Sequence, residues 1–250
     1  MCQMFNSIGF PVNEPEELDR YVVQALKHGK PMCTETGSYI RWAANCGAEM
    51  WVKLDAEGNV LGANPFFSGN SVMEVGINER VTEGFDTPLD GAFDGWADGV
   101  MCEPYDEEMP CSGDFPFVFN TPCYELYHSA QIPGVHRVRL TGFSDELFAF
   151  PDEKEFHRWQ TDHGSHIATE SFFPSQDPEA FMIFAGRVMD AAVLTNVFTG
   201  VRFNWAWVHT FGGEIDVVAA LGDVTGQLVP GGIVTGWVWV TGKLLEEKIA

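Results

Sequence analysis

Positively charged residues are scarce in this chain of 250 amino acids. It holds 14 lysines and arginines against 36 aspartates and glutamates, so its formal net charge is −22 with neutral histidine. Nucleic acids and anionic membrane surfaces bind proteins through positive patches. We therefore expect neither of them to be a partner, and we expect instead a protein or a small molecule.

Long apolar runs are also missing. No uncharged apolar stretch is long enough to cross a bilayer, and the first residues, Met1 to Ser7, have neither the basic start nor the apolar segment of a signal peptide. These absences predict a cytoplasmic protein. The hydrophobic residues that are present, 45% of the chain, suffice for a sizeable core.

The six cysteines include no Cys-x-x-Cys pair. Cytosolic proteins keep their thiols reduced, and a chain of this length folds without disulfides. The sequence therefore predicts free thiols. Cys102, Cys111, Cys123 and His128 are the types of ligand found in a Cys₃His zinc site, but they lack the close pair that usually begins such a site, which favours ordinary thiols.

Standard motifs for phosphate binding and for serine hydrolases are lacking as well. There is no Gly-x-x-x-x-Gly-Lys-Ser/Thr loop, no Gly-x-Gly-x-x-Gly after a predicted strand and no Gly-x-Ser-x-Gly elbow. We therefore expect no cofactor, with a divalent metal as the alternative.

The clearest helical pattern runs from Asn13 to Gly29. Asn13 is a suitable N-cap, and Gly29 followed by Pro31 is a typical helix end. Between them, one apolar stripe is formed by Leu18, Tyr21, Val22, Ala25 and Leu26.

Most of the remaining chain alternates or clusters apolar residues as β-strands do. Strands are predicted over 39–45, 49–54, 60–63, 71–77, 136–150 (with a turn inside), 181–194, 201–211, 214–220 and 233–244. A short helix is predicted over 152–160. A helix over 181–192 is an alternative, because Asp177-Pro178-Glu179 is a good helix start.

These patterns predict an α+β fold that is rich in β-strands. It has an N-terminal helix, antiparallel hairpins and a small C-terminal barrel of the oligonucleotide/oligosaccharide-binding (OB) type over about residues 181–244. The acidic stretch 79–114 is predicted to be rich in loops and to mark a boundary. The predicted division is therefore 1–120 and 121–250, with one continuous domain as the alternative.

Several short segments occur in an order that resembles a known group of proteins. They are Gly47 to Val52, Gly62 to Phe67, Leu89 to Ala97, Asn196 to Gly200, Thr210 to Val218 and Gly231 to Trp239. Together they resemble a family of bacterial cytosolic proteins of about this length that has no assigned function. The resemblance implies a bacterial cytosolic protein that behaves as one unit, and it brings no activity, cofactor or site residue.

Tryptophans in two predicted strands form the first candidate site. Trp205, Trp207 and His209 fall on one face of their strand, and Trp237 and Trp239 share a face of another. Such rings can line a groove in which bases or sugars stack, with His209 as a polar contact. The alternative is that these large aromatic side chains belong to the core.

Histidines form the second candidate site. His157, His163 and His166 lie within ten residues, with Glu170 close by, and imidazoles with a carboxylate can bind zinc or iron. Their spacing differs from His-Glu-x-x-His, because Gly164 interrupts the helix between His163 and His166. Exposed histidines at a helix end are the alternative.

Two functions follow from these candidate sites. The first is a binding or interaction protein without enzymatic activity, which uses the aromatic β surface or an acidic face. The second is a metal-dependent hydrolase that uses the His157, His163 and His166 cluster.

Overall fold

The computed structural model of the chain describes residues 2–103, 107–174 and 180–245. A 3-10 helix, Cys2–Ile8, precedes helix α1, Pro15–His28. Four antiparallel strands then form a first sheet in the order β1-β2-β3-β4. They are β1 Lys30–Cys33, β2 Ser38–Ala43, β3 Ala48–Leu54 and β4 Val60–Phe67.

The second sheet holds most of the later strands. They are β5 Met73–Val81, β6 Ala92–Ala97, β9 Pro116–Asn120, β10 Gly134–Ser144, β11 Leu147–Phe150, β12 Ser171–Pro174, β13 Phe181–Thr195, β14 Arg202–Thr210, β15 Gly213–Ala220, β16 Val224–Thr225 and β17 Ile233–Leu244. A separate small hairpin is formed by β7 Val100–Met101 and β8 Cys111–Ser112. Helix α2, Glu153–His163, follows β11, and short 3-10 helices span Tyr124–Tyr127 and Leu221–Asp223.

Eight of these strands close into a barrel within the described residues. Their order is β13-β14-β15-β10-β5-β6-β9-β17, and β17 pairs again with β13. β10 and β17 also pair directly, from Val138 with Leu244 to Phe143 with Trp239. This central pair therefore carries neighbours along both of its outer edges: β5 and β15 beside β10, and β13 and β9 beside β17.

Both faces of the central pair are covered by apolar side chains. Val138 and Leu140 point with Val238 and Val240 into the barrel core. Because successive side chains alternate in a strand, Phe143 and Trp239 point outward. They belong to a second apolar cluster, formed with the 3-10 helix, α1 and the first sheet. We call the layer between the first sheet and the outer face of the barrel the junction.

Helix α1 confirms the predicted N-terminal helix. Glu14, and not Asn13, occupies the N-cap, and the Glu17 carboxylate accepts hydrogen bonds from the backbone N–H groups of Asn13 (2.7 Å) and Glu14 (3.3 Å). At the other end, the N–H of Gly29 donates to the carbonyl of Ala25. The predicted helix over 152–160 is present as α2.

The β-rich character and the antiparallel hairpins are confirmed, but the predicted extent of the barrel is wrong. Of the eight barrel strands, four lie within 181–244, namely β13, β14, β15 and β17. The other four, β5, β6, β9 and β10, come from earlier in the chain. The reason is that the outer edges of β15 and β17 need partners, and β10 supplies hydrogen bonds to both. The alternative helix over 181–192 is also wrong, because β13 pairs with β12, β14 and β17; its expected start at 177–179 lies outside the described residues.

Hydrogen bonding continues across the predicted division at residue 120. β5, β6 and β9 precede it, and the other five barrel strands follow it. The acidic stretch 79–114, predicted to be loop-rich, contains β6, whose Phe93 side chain is fully buried in the barrel core. The sequence did not predict β6, because glycine and acidic residues separate its apolar positions and interrupt the alternating pattern.

Gly142 tests the packing of the central pair. A Cβ atom added there would lie 2.9 Å from the Cβ and Cγ1 atoms of Val238. We expect Gly142→Ala to lower the free energy of unfolding by about 1–3 kcal/mol, since overpacking forces a filled core to shift. Gly222→Ala is the control, because a Cβ there meets no atom within 4 Å. Urea denaturation measures both variants, and equal stability of the two would contradict the expectation.

Candidate functional site

A cavity of about 470 Å³ lies in the junction. The β2–β3 turn and the segment after β4 form one side of it, and Leu194 of β13 and Trp205 of β14 form the other. Its wall consists of Arg41, Ala43, Ala44, Asn45, Cys46, Gly47, Glu49, Phe67, Ser68, Gly69, Asn70, Leu194 and Trp205. This volume falls within the range of roughly 300–1,000 Å³ that is typical of ligand pockets.

The turn on the first-sheet side depends on Gly47. Its φ is +95°, a left-handed conformation that favours glycine, and its N–H donates to the carbonyl of Ala44. The carbonyl of Gly47 accepts from the N–H of Ser68 at 2.8 Å. A Cβ on Gly47 would lie 2.8 Å from the Ser68 carbonyl oxygen, so glycine permits the close approach of these two segments.

A buried carboxylate fixes the aromatic side of the cavity. Asp216 is fully buried and accepts a hydrogen bond from Nε1 of Trp205 at 2.7 Å. It also accepts from the backbone N–H groups of Asn70 at 3.0 Å and Ser71 at 2.8 Å. The same side chain therefore holds the indole ring and the adjacent segment in place, which gives the cavity a preformed wall.

A second buried carboxylate lies on the opposite side. Glu49 is 1% exposed, and its two oxygens accept hydrogen bonds from four side chains. Trp51 donates at 2.8 Å, Ser68 at 2.7 Å, Lys243 at 2.9 Å to one oxygen and 3.1 Å to the other, and Arg41 through Nη2. These donors come from the first sheet, from the segment after β4 and from β17 of the barrel, so Glu49 links the two layers.

The charges around Glu49 decide its ionisation. Burial alone would raise the pKa of Glu49, but the hydrogen bonds and positive charges of Arg41 and Lys243 outweigh it and hold the pKa at about 2. Burial lowers the pKa of Lys243, and the attraction of Glu49 partly offsets this effect. The Lys243 ammonium nitrogen lies 4.4 Å from the ring centre of Phe66 and 5.3 Å from that of Trp51, in cation–π geometry.

Arg41 retains unused hydrogen-bonding capacity. Its Nη2 atom bonds to Glu49, whereas its buried Nε atom has no hydrogen-bond partner. The Arg41 side chain is 37% exposed and forms part of the cavity wall. It therefore presents donors beside the cavity.

Cys123 lies near this ionic cluster but is not a reactive thiol. Burial raises the pKa of Cys123 to about 11, so it stays protonated at neutral pH. Its Sγ atom lies 3.5 Å from the hydroxyl oxygen of Tyr127. Cys33, Cys46, Cys102 and Cys111 are also free.

The predicted tryptophan site is distributed over the outer face of the barrel. Trp205 lines the cavity, and Trp207 is half-buried in the junction, where its Nε1 donates to Glu214 at 3.1 Å. Trp239 packs against Phe143 with ring centres 5.6 Å apart. His209 is exposed, and Trp237 is 54% exposed, so neither belongs to the cavity wall.

The predicted histidine site lies at and after the end of α2. His163 stacks on Trp159, and its Nδ1 lies 2.8 Å from the Trp159 carbonyl. His157 contacts Gln160 through Nδ1, His166 is exposed, and Glu170 forms an ion pair with Arg187. Within residues 2–103, 107–174 and 180–245, no three His, Cys, Asp or Glu side chains are grouped as a metal would require. Metal binding by this segment stays a prediction.

In the predicted Cys₃His group, Cys111 and Cys123 have different neighbours. Cys111 Sγ lies 3.4 Å from Met101 Sδ in the β7–β8 hairpin. Cys123 instead lies beside Tyr127.

Sequence reasoning missed Arg41, Glu49, Ser68 and Lys243. A signal was present, because Glu49 and Lys53 interrupt an otherwise apolar strand, Ala48 to Leu54, and such charges need buried partners. Lys53 forms an ion pair with Asp90, and its Nζ atom lies 2.6 Å from one carboxylate oxygen. The partners of Glu49 could not be read from the sequence, because Lys243 is 194 residues away from it.

Comparison of this chain with protein-family models, with curated proteins and with solved structures gives no match. Among the helices of the described residues, none is both long enough and apolar enough to span a membrane.

Glu49→Gln tests the ionic link between the layers. The pKa of Glu49 falls from an ordinary value of 4.5 to about 2 on folding, so its ionised form stabilises the fold above pH 4.5, and this contribution is lost as the pH falls toward 2. We expect Glu49→Gln to lower the free energy of unfolding at pH 7 by roughly 3 kcal/mol. The difference from the wild type should shrink below pH 4.5.

Urea denaturation between pH 7 and pH 3 measures this effect. Glu16→Gln, at an exposed position of α1, is the control and should change stability little at either pH. A Glu49→Gln difference that stays constant over this pH range would contradict the proposed ionic contribution.

Proposed function

We propose that this protein binds a small molecule in the junction cavity and that it is not an enzyme. The observation that carries the proposal is the cavity of about 470 Å³ with the Trp205 indole ring in its wall. Ligand pockets are typically lined by apolar and aromatic side chains with a few fixed polar groups. Phe67, Leu194 and Trp205 supply the first kind of surface, and Arg41 and Ser68 supply the second.

The state of the nearby ionisable groups supports binding over catalysis. Both oxygens of Glu49 are occupied by donors and its pKa is about 2, which makes it a poor general base at neutral pH. Cys123, which lies outside the cavity wall, stays a protonated thiol and is a poor nucleophile. Glu49 therefore serves to link the first sheet to the barrel.

The strand arrangement gives further support. Five strands, β13, β14, β15, β10 and β17, pair in a closed circuit, and five is the number of strands in an OB-type barrel. We infer an OB-like arrangement for this circuit, with β13, β14 and β15 as its first three strands. OB barrels bind ligands on the face of their second and third strands, and Trp205 lies on the outer face of β14.

A neutral fluorescent probe tests the cavity directly. N-phenyl-1-naphthylamine becomes fluorescent when an apolar site removes it from water. We expect the wild type to bind about one equivalent, as one probe molecule in the junction cavity requires. Leu194→Trp replaces an aliphatic side chain of the cavity wall with a larger indole ring. This variant should bind the probe at least tenfold more weakly, as measured by fluorescence titration.

Val193→Trp is the matched control. Val193 neighbours Leu194 on the same strand but is 52% exposed and lines a separate cleft of about 290 Å³. We expect this variant to bind the probe as the wild type does. If Leu194→Trp binds as well as the wild type, or if the wild type does not bind the probe, the proposed function is wrong.

A further inference from the structure

Arg41 differs from the other polar groups in the cavity wall. Its charged side chain is 37% exposed, whereas Glu49, the other charged wall residue, is 1% exposed. The buried Nε atom of Arg41 donates to no acceptor. A guanidinium carries five N–H donors, and among the described residues only Nη2 of Arg41 has a hydrogen-bond partner, so the exposed part of the group has donors left for a ligand.

The positive charge of Arg41 exceeds what Glu49 requires. Lys243 contacts both oxygens of Glu49, with Ser68 and Trp51 as further donors. Counted alone, Arg41, Lys243 and Glu49 carry one net positive charge, and Arg41 is the exposed member of the group. Behind Trp205, the fully buried Asp216 is engaged by three N–H donors and is not part of the wall.

The apolar part of the wall defines the other half of the ligand. Phe67 and Trp205 line the wall with rings that are 2% and 8% exposed and whose centres lie 6.4 Å apart, and Leu194 lies in the same wall. Aromatic groups pack well against such rings. The wall therefore combines a surface for a planar apolar group with a guanidinium.

We propose that the ligand of the junction cavity is an aromatic or otherwise planar anion, whose carboxylate, sulfonate or phosphate group is bound by Arg41. The inference rests on the proposed function and adds the chemical class of the ligand. Guanidinium N–H groups match the geometry of such oxyanions, and hydrogen bonds between charged groups are about twice as strong as neutral ones.

The overall charge of the protein makes this local charge necessary. A net charge of −22 repels anions from most of the surface. In a partly enclosed cavity, a nearby opposite charge acts more strongly than it would in bulk water. Without Arg41, the wall would offer an anion no positive side chain with exposed surface among the described residues.

Two probes that differ by one anionic group test the inference. 8-Anilinonaphthalene-1-sulfonate and N-phenyl-1-naphthylamine share the same ring system, and only the first carries a sulfonate. We expect Arg41→Gln to weaken binding of the sulfonate probe at least tenfold and to change binding of the neutral probe less than threefold. Arg41→Lys keeps the charge but loses the planar guanidinium, and should bind the sulfonate probe with intermediate affinity.

The control variant is Arg20→Gln, which removes one positive charge at a side chain of α1 that is 70% exposed. It should bind both probes as the wild type does. Thermal unfolding checks that Arg41→Gln is folded, since Lys243, Ser68 and Trp51 still bond to Glu49 in that variant.

The outcomes separate the two proposals. If the neutral probe binds in the cavity and Arg41→Gln weakens both probes equally or neither, the anionic ligand class is wrong and the proposed function stands. If the neutral probe binds the wild type but the sulfonate probe does not, the anionic ligand class is again wrong and the proposed function stands. If the neutral probe does not bind the wild type, the proposed function fails, and the inference fails with it.

Discussion

The buried Glu49 carboxylate is the interaction on which the arrangement of the two layers depends. An ionised carboxylate that is 1% exposed is stable only when donors surround it, and its donors come from the first sheet, from the segment after β4 and from β17. Apolar packing in the junction is not directional, whereas these hydrogen bonds fix how the first sheet sits on the barrel. The position of the cavity follows from that placement.

The barrel needs cover on its outer face. Strands β14 and β17 carry apolar side chains on both faces, with Ala206 and Val238 inside and Trp205 and Trp239 outside. The outward residues exclude water only because the 3-10 helix, α1 and the first sheet pack over them. Where this packing is incomplete, a cavity remains, and Asp216 and Glu49 hold its two sides.

Much of the local structure could be predicted from sequence. Helix α1, most long strands and the grouping of Trp205 with Trp207 follow from side-chain periodicity, which is a local property. β6 was missed because glycine and acidic residues separate its buried positions. The barrel was predicted too late in the chain because the sequence pattern of a strand does not specify which other strands it pairs with. The candidate site was predicted only in part: Trp205 was found, while Arg41, Glu49 and Lys243 were not.

The sequence by itself determined the composition of the core, the β-rich fold and which strands carry apolar residues on both faces. The tertiary structure alone decided which of those faces enclose a cavity and which charges meet there. The physical reason is that Glu49 and Lys243, or Trp205 and Asn70, are far apart along the chain, and only the closure of the barrel and the docking of the first sheet bring them within a few ångströms. Periodicity records which side of a strand is apolar, but it does not record what covers that side.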